Sequence, residues 1–255
     1  MKHLYDLHTH STASDGTLKP RDLVARAKQA GVSVLALTDH DSTQGIADAR
    51  EAAIGMGVDL VPGVEISVSW GAYVIHVVGL GVDTECELLQ LGLSRQREQR
   101  RDRAIEMGRR LEKSGIKDAY VGAMELSNGR LISRTHFARF LVDRGYVNAT
   151  DKVFKRYLVR GKPGYVKGCW ASLEEVITWI KAAGGQAVIA HPARYPFTRT
   201  KLRNLFAEFV ELGGDAIEVV SGNYTRDNCL TMARHAMDFD LMGSVGSDFH
   251  GPELS

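Results

Sequence analysis

The chain predicts an α/β protein in which strands alternate with helices, as a parallel (β/α) barrel or an open sheet. Three observations carry this. Short aliphatic runs alternate with segments of helical periodicity toward both ends of the chain. Glycines stand where helices should stop, at Gly31 and Gly184-Gly185. Histidines and carboxylates recur at or just past the ends of the aliphatic runs, where the loops of such folds converge.

The first run, Tyr5-Asp6-Leu7, ends in His8-Thr9-His10, with Asp15 just beyond. Histidines at i and i+2 of a strand project to one side, and two imidazoles converging there make half of a metal site. Leu23, Val24 and Ala27 fall at helical spacing before Gly31. The second strand, Val32 to Leu37, closes on Thr38-Asp39-His40-Asp41, and Thr43 to Ile54 reads as the next helix. Val58 to Val64 is a third strand that delivers Glu65 at its end. Tyr73 to Leu80 is a fourth, carrying His76 among aliphatics as either a satisfied core group or a ligand.

Residues 84–170 break the rhythm and read as a small, mostly helical insertion between 1–83 and 171–255. Leu88 to Glu112 is a charged helix in which Glu98, Asp102 and Glu106 are four apart among arginines from Arg95 to Arg110, the pattern of a solvated, ion-paired face. A short helix over Ile132 to Leu141 and the turn Gly161-Lys162-Pro163-Gly164-Tyr165 follow. The alternation then resumes. Ser172 caps a helix with Glu174 and Glu175 in its first turn. The strand Gln186 to Ala190 presents His191-Pro192, Lys201 to Leu212 is helical, Ala216 to Val220 is a strand, and Asn228 to Phe239 is helical. Leu241 to Val245 is the last strand, the seventh, ending in Gly246-Ser247-Asp248-Phe249-His250.

Composition bounds the function. With 255 residues, 44% hydrophobic and 25% charged, the chain can bury a barrel-sized core. A formal net charge of +1 demands neither nucleic acid nor membrane as partner, and no obligate protein partner is evident. No apolar run nears the ~20 residues of a membrane span, and the chain opens without a charged leader, so the cytoplasm is expected. Cys86, Cys169 and Cys229 are odd in number and far apart, which fits reduced thiols. No G-x-S-x-G elbow is present. The chain stops at Ser255, soon after His250, where a barrel would ordinarily add a covering helix.

The set His8-Thr9-His10, Asp15, Thr38-Asp39-His40, Gly63-Val64-Glu65, His76, Ala190-His191-Pro192 and Gly246-Ser247-Asp248-Phe249-His250 resembles the PHP (polymerase and histidinol phosphatase) phosphoesterases. Ile132-Ser133-Arg134-Thr135-His136-Phe137 and Gly161 to Tyr165 resemble one branch, the 3′,5′-nucleoside-bisphosphate phosphatases and 5′-to-3′ exoribonucleases. The resemblance implies a distorted (β/α)7 barrel of two or three metal sites. One would use His8, His10, Glu65 and Asp248; a second would share Glu65 and add His76 and His191; a third would use Asp15, His40 and His250. A carboxylate suits the bridging place because it has two oxygens to offer. Mixed imidazole and carboxylate donors suit Mn²⁺, Fe²⁺ or Zn²⁺, and family analogy favours Mn²⁺.

The activity so implied is hydrolysis of the 3′-phosphate of nucleoside 3′,5′-bisphosphates, such as adenosine 3′,5′-bisphosphate to AMP, by a metal-held hydroxide without a covalent intermediate. The substrate is then a small nucleotide. Arg134 is the best candidate to grip the second phosphate, because a guanidinium bonds two oxygens at once. His136 and Lys162 are weaker candidates against a helix-surface charge and a turn lysine. Ser67, Trp70 and Tyr165 are candidates for a nucleoside pocket, with aromatic core packing as the alternative for the rings. Glu218 receives no role. The nearest alternative is a 5′-to-3′ exoribonuclease on 5′-phosphorylated RNA, with short RNA as the partner and the arginines from Arg95 to Arg110 following its backbone. Another phosphomonoesterase of the histidinol phosphatase kind, an amidohydrolase, or a non-catalytic binding module are weaker alternatives.

Overall fold

A computed structural model describes residues 4–127 and 130–252. In chain order the regular elements are β1 (Tyr5–Asp6), α1 (Pro20–Gln29), β2 (Val34–Leu37), α2 (Ile46–Met56), β3 (Asp59–Trp70), β4 (Tyr73–Leu80), α3 (Glu87–Lys113), α4 (Ala119–Leu126), α5 (Arg134–Asp143) and α6 (Thr150–Val153). After a π turn at Phe154–Leu158 come α7 (Leu173–Ala182), β5 (Gln186–Ile189), a 3-10 turn at Pro192–Arg194, α8 (Arg199–Glu211), β6 (Ala216–Ser221), α9 (Arg226–Asp238) and β7 (Met242–Gly246). Among the described residues no helix is long and apolar enough to cross a membrane.

The seven strands lie side by side in sequence order as one nearly closed barrel. Its two edges meet where the Leu7 N–H donates to the Val245 carbonyl at 3.0 Å and Thr9 bridges Phe249 in parallel. Most neighbours are parallel, as the alternation predicts, but β4 runs against both β3 and β5. The reason is local. Only Gly71 and Ala72 separate β3 from β4, and Gly71 takes a φ of 58°, so the chain reverses in a tight hairpin that leaves no room for a crossover helix. β3 also runs on to Trp70, which places Glu65 within the strand rather than at its end.

Period-two alternation sorts the strands' side chains. Val78 and Val188 join Ala36 and Ala216 in one small cluster, while Ile75, Val77, Ala187 and Ile189 pack with Val176, Ile180, Phe206 and Phe209 of α7 and α8. α1 and α2 pack Leu23, Val24, Ala49 and Ala53 with Leu35 and Leu37 of β2. α7 begins with a capping box: Ser172 Oγ accepts from the Glu175 N–H at 3.2 Å, and Glu175 Oε2 accepts from the Ser172 N–H at 2.9 Å.

The chain forms two compact units, one taking the residues up to Ser94 and again from Trp170, the other Arg95–Cys169. The first boundary falls later than the 84 suggested by sequence because Leu89 and Leu93 of α3 pack into the core that holds β3 and α7. The Arg95–Cys169 unit has its own core, built on Leu111, Phe137, Phe140, Leu141 and Leu158.

Candidate metal centre

The nine residues singled out by sequence meet in the barrel unit. His8 and His10 follow β1, Asp15 lies in the loop before α1, and His40 follows β2. Glu65 and His76 face each other across the β3–β4 hairpin, His191 follows β5, and Asp248 and His250 follow β7. β1 is only two residues long, so the His-x-His pair lies just beyond the strand, and parallel bridging keeps the chain extended there.

The donor atoms form three overlapping groups, each within 4.8 Å: His8, His10, Glu65 and Asp248; His10, Asp15, His40 and His250; and His40, Glu65 and His76. In the first, His8 Nε2 and His10 Nε2 are 3.0 Å apart. Glu65 Oε2 lies 3.4 and 3.3 Å from them, and Asp248 Oδ1 also lies 3.4 and 3.3 Å from them. Donors held ~2.1 Å from a common tetrahedral cation stand about 3.4 Å from one another, so this nest has the size of a coordination shell. The second group adds His10 to the expected trio, with His250 Nε2 3.3 Å from Asp15 Oδ1. In the third, His40 stands beside Glu65 and His76 where sequence placed His191. The His191 Nε2 nevertheless lies 3.0 Å from Glu65 Oε1, next to His76 Nδ1 at 2.8 Å from the same oxygen.

The fit to cations rests on one contact above all. His40 Nδ1 and Glu65 Oε2 are 2.8 Å apart, yet neither atom makes a hydrogen bond, because their directions do not align. Two buried ligand atoms this close and without other partners suit a cation that both can bind. Glu65 is fully buried, with its two oxygens turned to different imidazoles.

The carboxylates and imidazoles of the nest act strongly on one another. Burial alone would raise the Glu65 carboxyl, but His40, His76 and His8 hold it well below the usual range. Burial pulls His10 down, yet Asp248 and Glu65 overcome it and lift that imidazole to about 10. His40, for which burial wins over Glu65 and Asp15, falls to about 4. Positive charge thus settles on His10 rather than on His40, although the His40 ring lies nearer to Glu65.

Several supporting residues carried no role in the sequence reading. Asp39 accepts from the Ser11 N–H at 2.8 Å, Ser11 Oγ at 2.7 Å and Ser14 Oγ at 2.6 Å, which shapes the loop between His10 and Asp15. Tyr195 Oη accepts from the His76 N–H at 2.8 Å and donates to the Ala190 carbonyl at 2.9 Å. Arg194 pairs with Asp248 Oδ2. Glu218 Oε1 lies 2.5 Å from His8 Nδ1. A carboxylate inside the aliphatic run Ala216-Ile217-Glu218-Val219-Val220 was the available signal, since a buried charge needs a partner.

The substrate candidates are spread more widely. Ser67 is buried on β3, two residues from Glu65 and so on the same face of the strand, and its N–H donates to Asp41 Oδ1 at 3.1 Å. Trp70 is engaged in packing, with Nε1 donating to Glu208 Oε2 at 2.7 Å and its ring 5.4 Å from Phe197. The others lie in the Arg95–Cys169 unit. Arg134 stands at the start of α5 with its guanidinium 5.6 Å from the Phe154 ring. His136 is buried, and its Nδ1 accepts from the Ser133 N–H at 3.0 Å in a capping box. The Lys162 N–H closes a turn on Val159, and the Tyr165 carbonyl accepts from Arg110 at 2.7 Å.

A nearly closed α/β barrel with imidazoles and carboxylates gathered at ligand spacing defines a metal-binding enzyme. Residues 6–186 match the PHP domain family. The chain is 49% identical over 97% of its length to a 3′,5′-nucleoside bisphosphate phosphatase of Chromobacterium violaceum, spanning 87% of that protein. It is 48% identical over 97% of its length to a 5′-3′ exoribonuclease of Haemophilus influenzae, spanning 90% of that one. Among solved structures, one of an amidohydrolase from Chromobacterium violaceum with bound sulfate and no metal superposes with a TM-score of 0.96 at 49% identity, over 98% of this chain and 88% of that one. A structure from Bifidobacterium adolescentis, described as a metal-dependent phosphoesterase, gives 0.88 at 27% identity over 98% of this chain and 89% of its own. The chain belongs to the PHP family of metal-dependent phosphoesterases.

Proposed function

We propose that this enzyme removes the 3′-phosphate from nucleoside 3′,5′-bisphosphates, using two or three Mn²⁺ ions held by His8, His10, Asp15, His40, Glu65, His76, His191, Asp248 and His250, in the cytoplasm. The observation that carries the reading is Glu65, which offers one oxygen toward His8 and His10 and the other toward His76 and His191, so that one buried carboxylate links adjacent groups. Held by these residues, metal ions would supply charge neutralisation for phosphoryl oxygens and an activated water near neutral pH. The residues themselves hold the donors in place. The Asp248 N–H donates to the His8 carbonyl at 2.9 Å, which ties the last ligand loop to the first. Arg194, beside Asp248, adds a positive charge at this site for an anionic substrate. Ser67, sharing the Glu65 face, is assigned to the substrate.

Within the Arg95–Cys169 unit, the anion-binding role is assigned to Arg134, with His136 and Lys162 in support. Within the Arg95–Cys169 unit, burial and then the neighbouring Arg134 and Arg100 bring the Arg103 guanidinium down to about 9. Arg134 and Arg100 thus gather positive charge around Arg103, the kind of charge that suits an anion. The same cluster favours the second reading, an exoribonuclease on 5′-phosphorylated RNA, whose backbone would supply the anions.

One assay separates the two. With Mn²⁺ present, inorganic phosphate released from adenosine 3′,5′-bisphosphate is compared with mononucleotides released from a short 5′-phosphorylated RNA. Faster bisphosphate turnover is expected. Turnover of RNA alone selects the second reading, and inertness toward both, with histidinol phosphate included, removes either.

A further inference from the structure

Glu218 on β6 is 1% exposed and belongs to none of the three donor groups. Its oxygens turn instead to two of the residues that would ligate the metal. Oε1 lies 2.5 Å from His8 Nδ1, and Oε2 accepts the backbone N–H of His191 at 2.6 Å. On the other side of the His8 ring, Nε2 faces His10, Glu65 and Asp248.

A neutral imidazole has one N–H and one lone pair, so only one ring nitrogen can ligate. A carboxylate at Nδ1 accepts from the Nδ1–H tautomer, and that leaves the Nε2 lone pair aimed at the donor nest. The second bond acts on the backbone. His191 has φ 34° and ψ 50°, a left-handed conformation that a non-glycine residue adopts only when its surroundings enforce it. The bond from its N–H to Glu218 holds that turn, and the turn sets Nε2 3.0 Å from Glu65.

We propose that Glu218 is a positioning residue of the metal centre, selecting the His8 tautomer and pinning the His191 turn, so that one side chain on β6 registers ligands following β1 and β5. This rests on the reading of the nine residues as metal ligands.

The discriminating substitution is Glu218→Gln. An amide keeps the size but has one acceptor and one donor end, whereas both existing bonds need an acceptor. If its oxygen takes the His191 N–H, its NH₂ faces His8 Nδ1 and drives the proton to Nε2. If its oxygen takes His8, its NH₂ opposes the His191 N–H. One of the two functions fails either way.

Zinc, as a diamagnetic probe, is titrated into the whole protein against a chelator, and the histidine ¹⁵N–¹H correlations of the zinc-loaded protein are recorded. Glu218→Gln is expected to bind zinc ~10–100-fold more weakly and to lose or shift the His8 Nδ1–H signal seen in the parent. Parent-like affinity with that signal unchanged overturns the proposal. Glu65→Gln is the control for the underlying reading: if it too binds like the parent, the metal centre is misassigned, whereas weak binding by Glu65→Gln alone removes only the role of Glu218. Should Glu218→Gln fail to fold, Glu218→Asp takes its place. Its carboxylate, one methylene shorter, cannot reach both partners, so weakened zinc binding is expected and parent-like binding contradicts the assignment.

Discussion

Gly246 packs directly against His8: a Cβ built there lies 2.3 Å from His8 Cβ and 2.9 Å from its nitrogen. Both neighbours are backbone or the root of a side chain, so neither can swing away. Gly246→Ala is expected to displace His8, destabilise the protein by about 1–3 kcal/mol and weaken metal binding, as read by urea unfolding and chelator competition. Parent-like values in both would show that the ligand loop tolerates the shift. At this scale much of the site was legible in the sequence, because His8, His10, His40, His191, Asp248 and His250 follow aliphatic runs at strand ends. Glu218 was not given a role because its meaning depends on which strand lies across the barrel, and β6 reaches His8 only after the sheet curls round to join its edges. Asp39 stands inside the Thr38-Asp39-His40 motif, but its three serine and backbone donors come from a loop 25 to 28 residues earlier, so its supporting part shows only in the fold.

The elements were largely readable from periodicity, and the one strand that departs from it is instructive. β4 looked like any other strand, and only the shortness of the Gly71-Ala72 link requires it to run backwards. That reversal puts His76 opposite Ser67 and its ring against Glu65. α9 carries a buried histidine that the site does not use. His235 packs 5.4 Å from the Phe206 ring, and its Nδ1 has no hydrogen-bond partner among the described residues. Burial, with Arg203 and Arg199 adding to it and Asp238 opposing, lowers its pKa. The folded protein therefore refuses a proton that the unfolded chain accepts. Stability from this group is present above about pH 6.5 and is lost as the pH falls below it. His235→Leu, which keeps an apolar group against Phe206, is expected to flatten the fall in urea midpoint between about pH 7 and about pH 5. An unchanged pH slope would mean that His235 takes up its proton in the folded state at no cost.

For the molecule as a whole, the sequence indicated an inner helical segment, and the structure gives that segment a hydrophobic core of its own around Phe137. Phe137 is fully buried, so Phe137→Ala is expected to cost about 3–5 kcal/mol. The loss should appear as faster amide hydrogen exchange within Arg95–Cys169, with zinc binding to the barrel unit retained. Loss of zinc binding in that variant would mean that the metal centre does not stand on the barrel unit alone. The central claim concerns that centre, and anomalous X-ray scattering from a crystal grown with Mn²⁺ tests it most directly. Manganese is expected within bonding distance of His8, His10, Glu65 and Asp248, with a second ion sharing Glu65 toward His76 and His191. Manganese elsewhere, or these side chains turned away from one another, would contradict it.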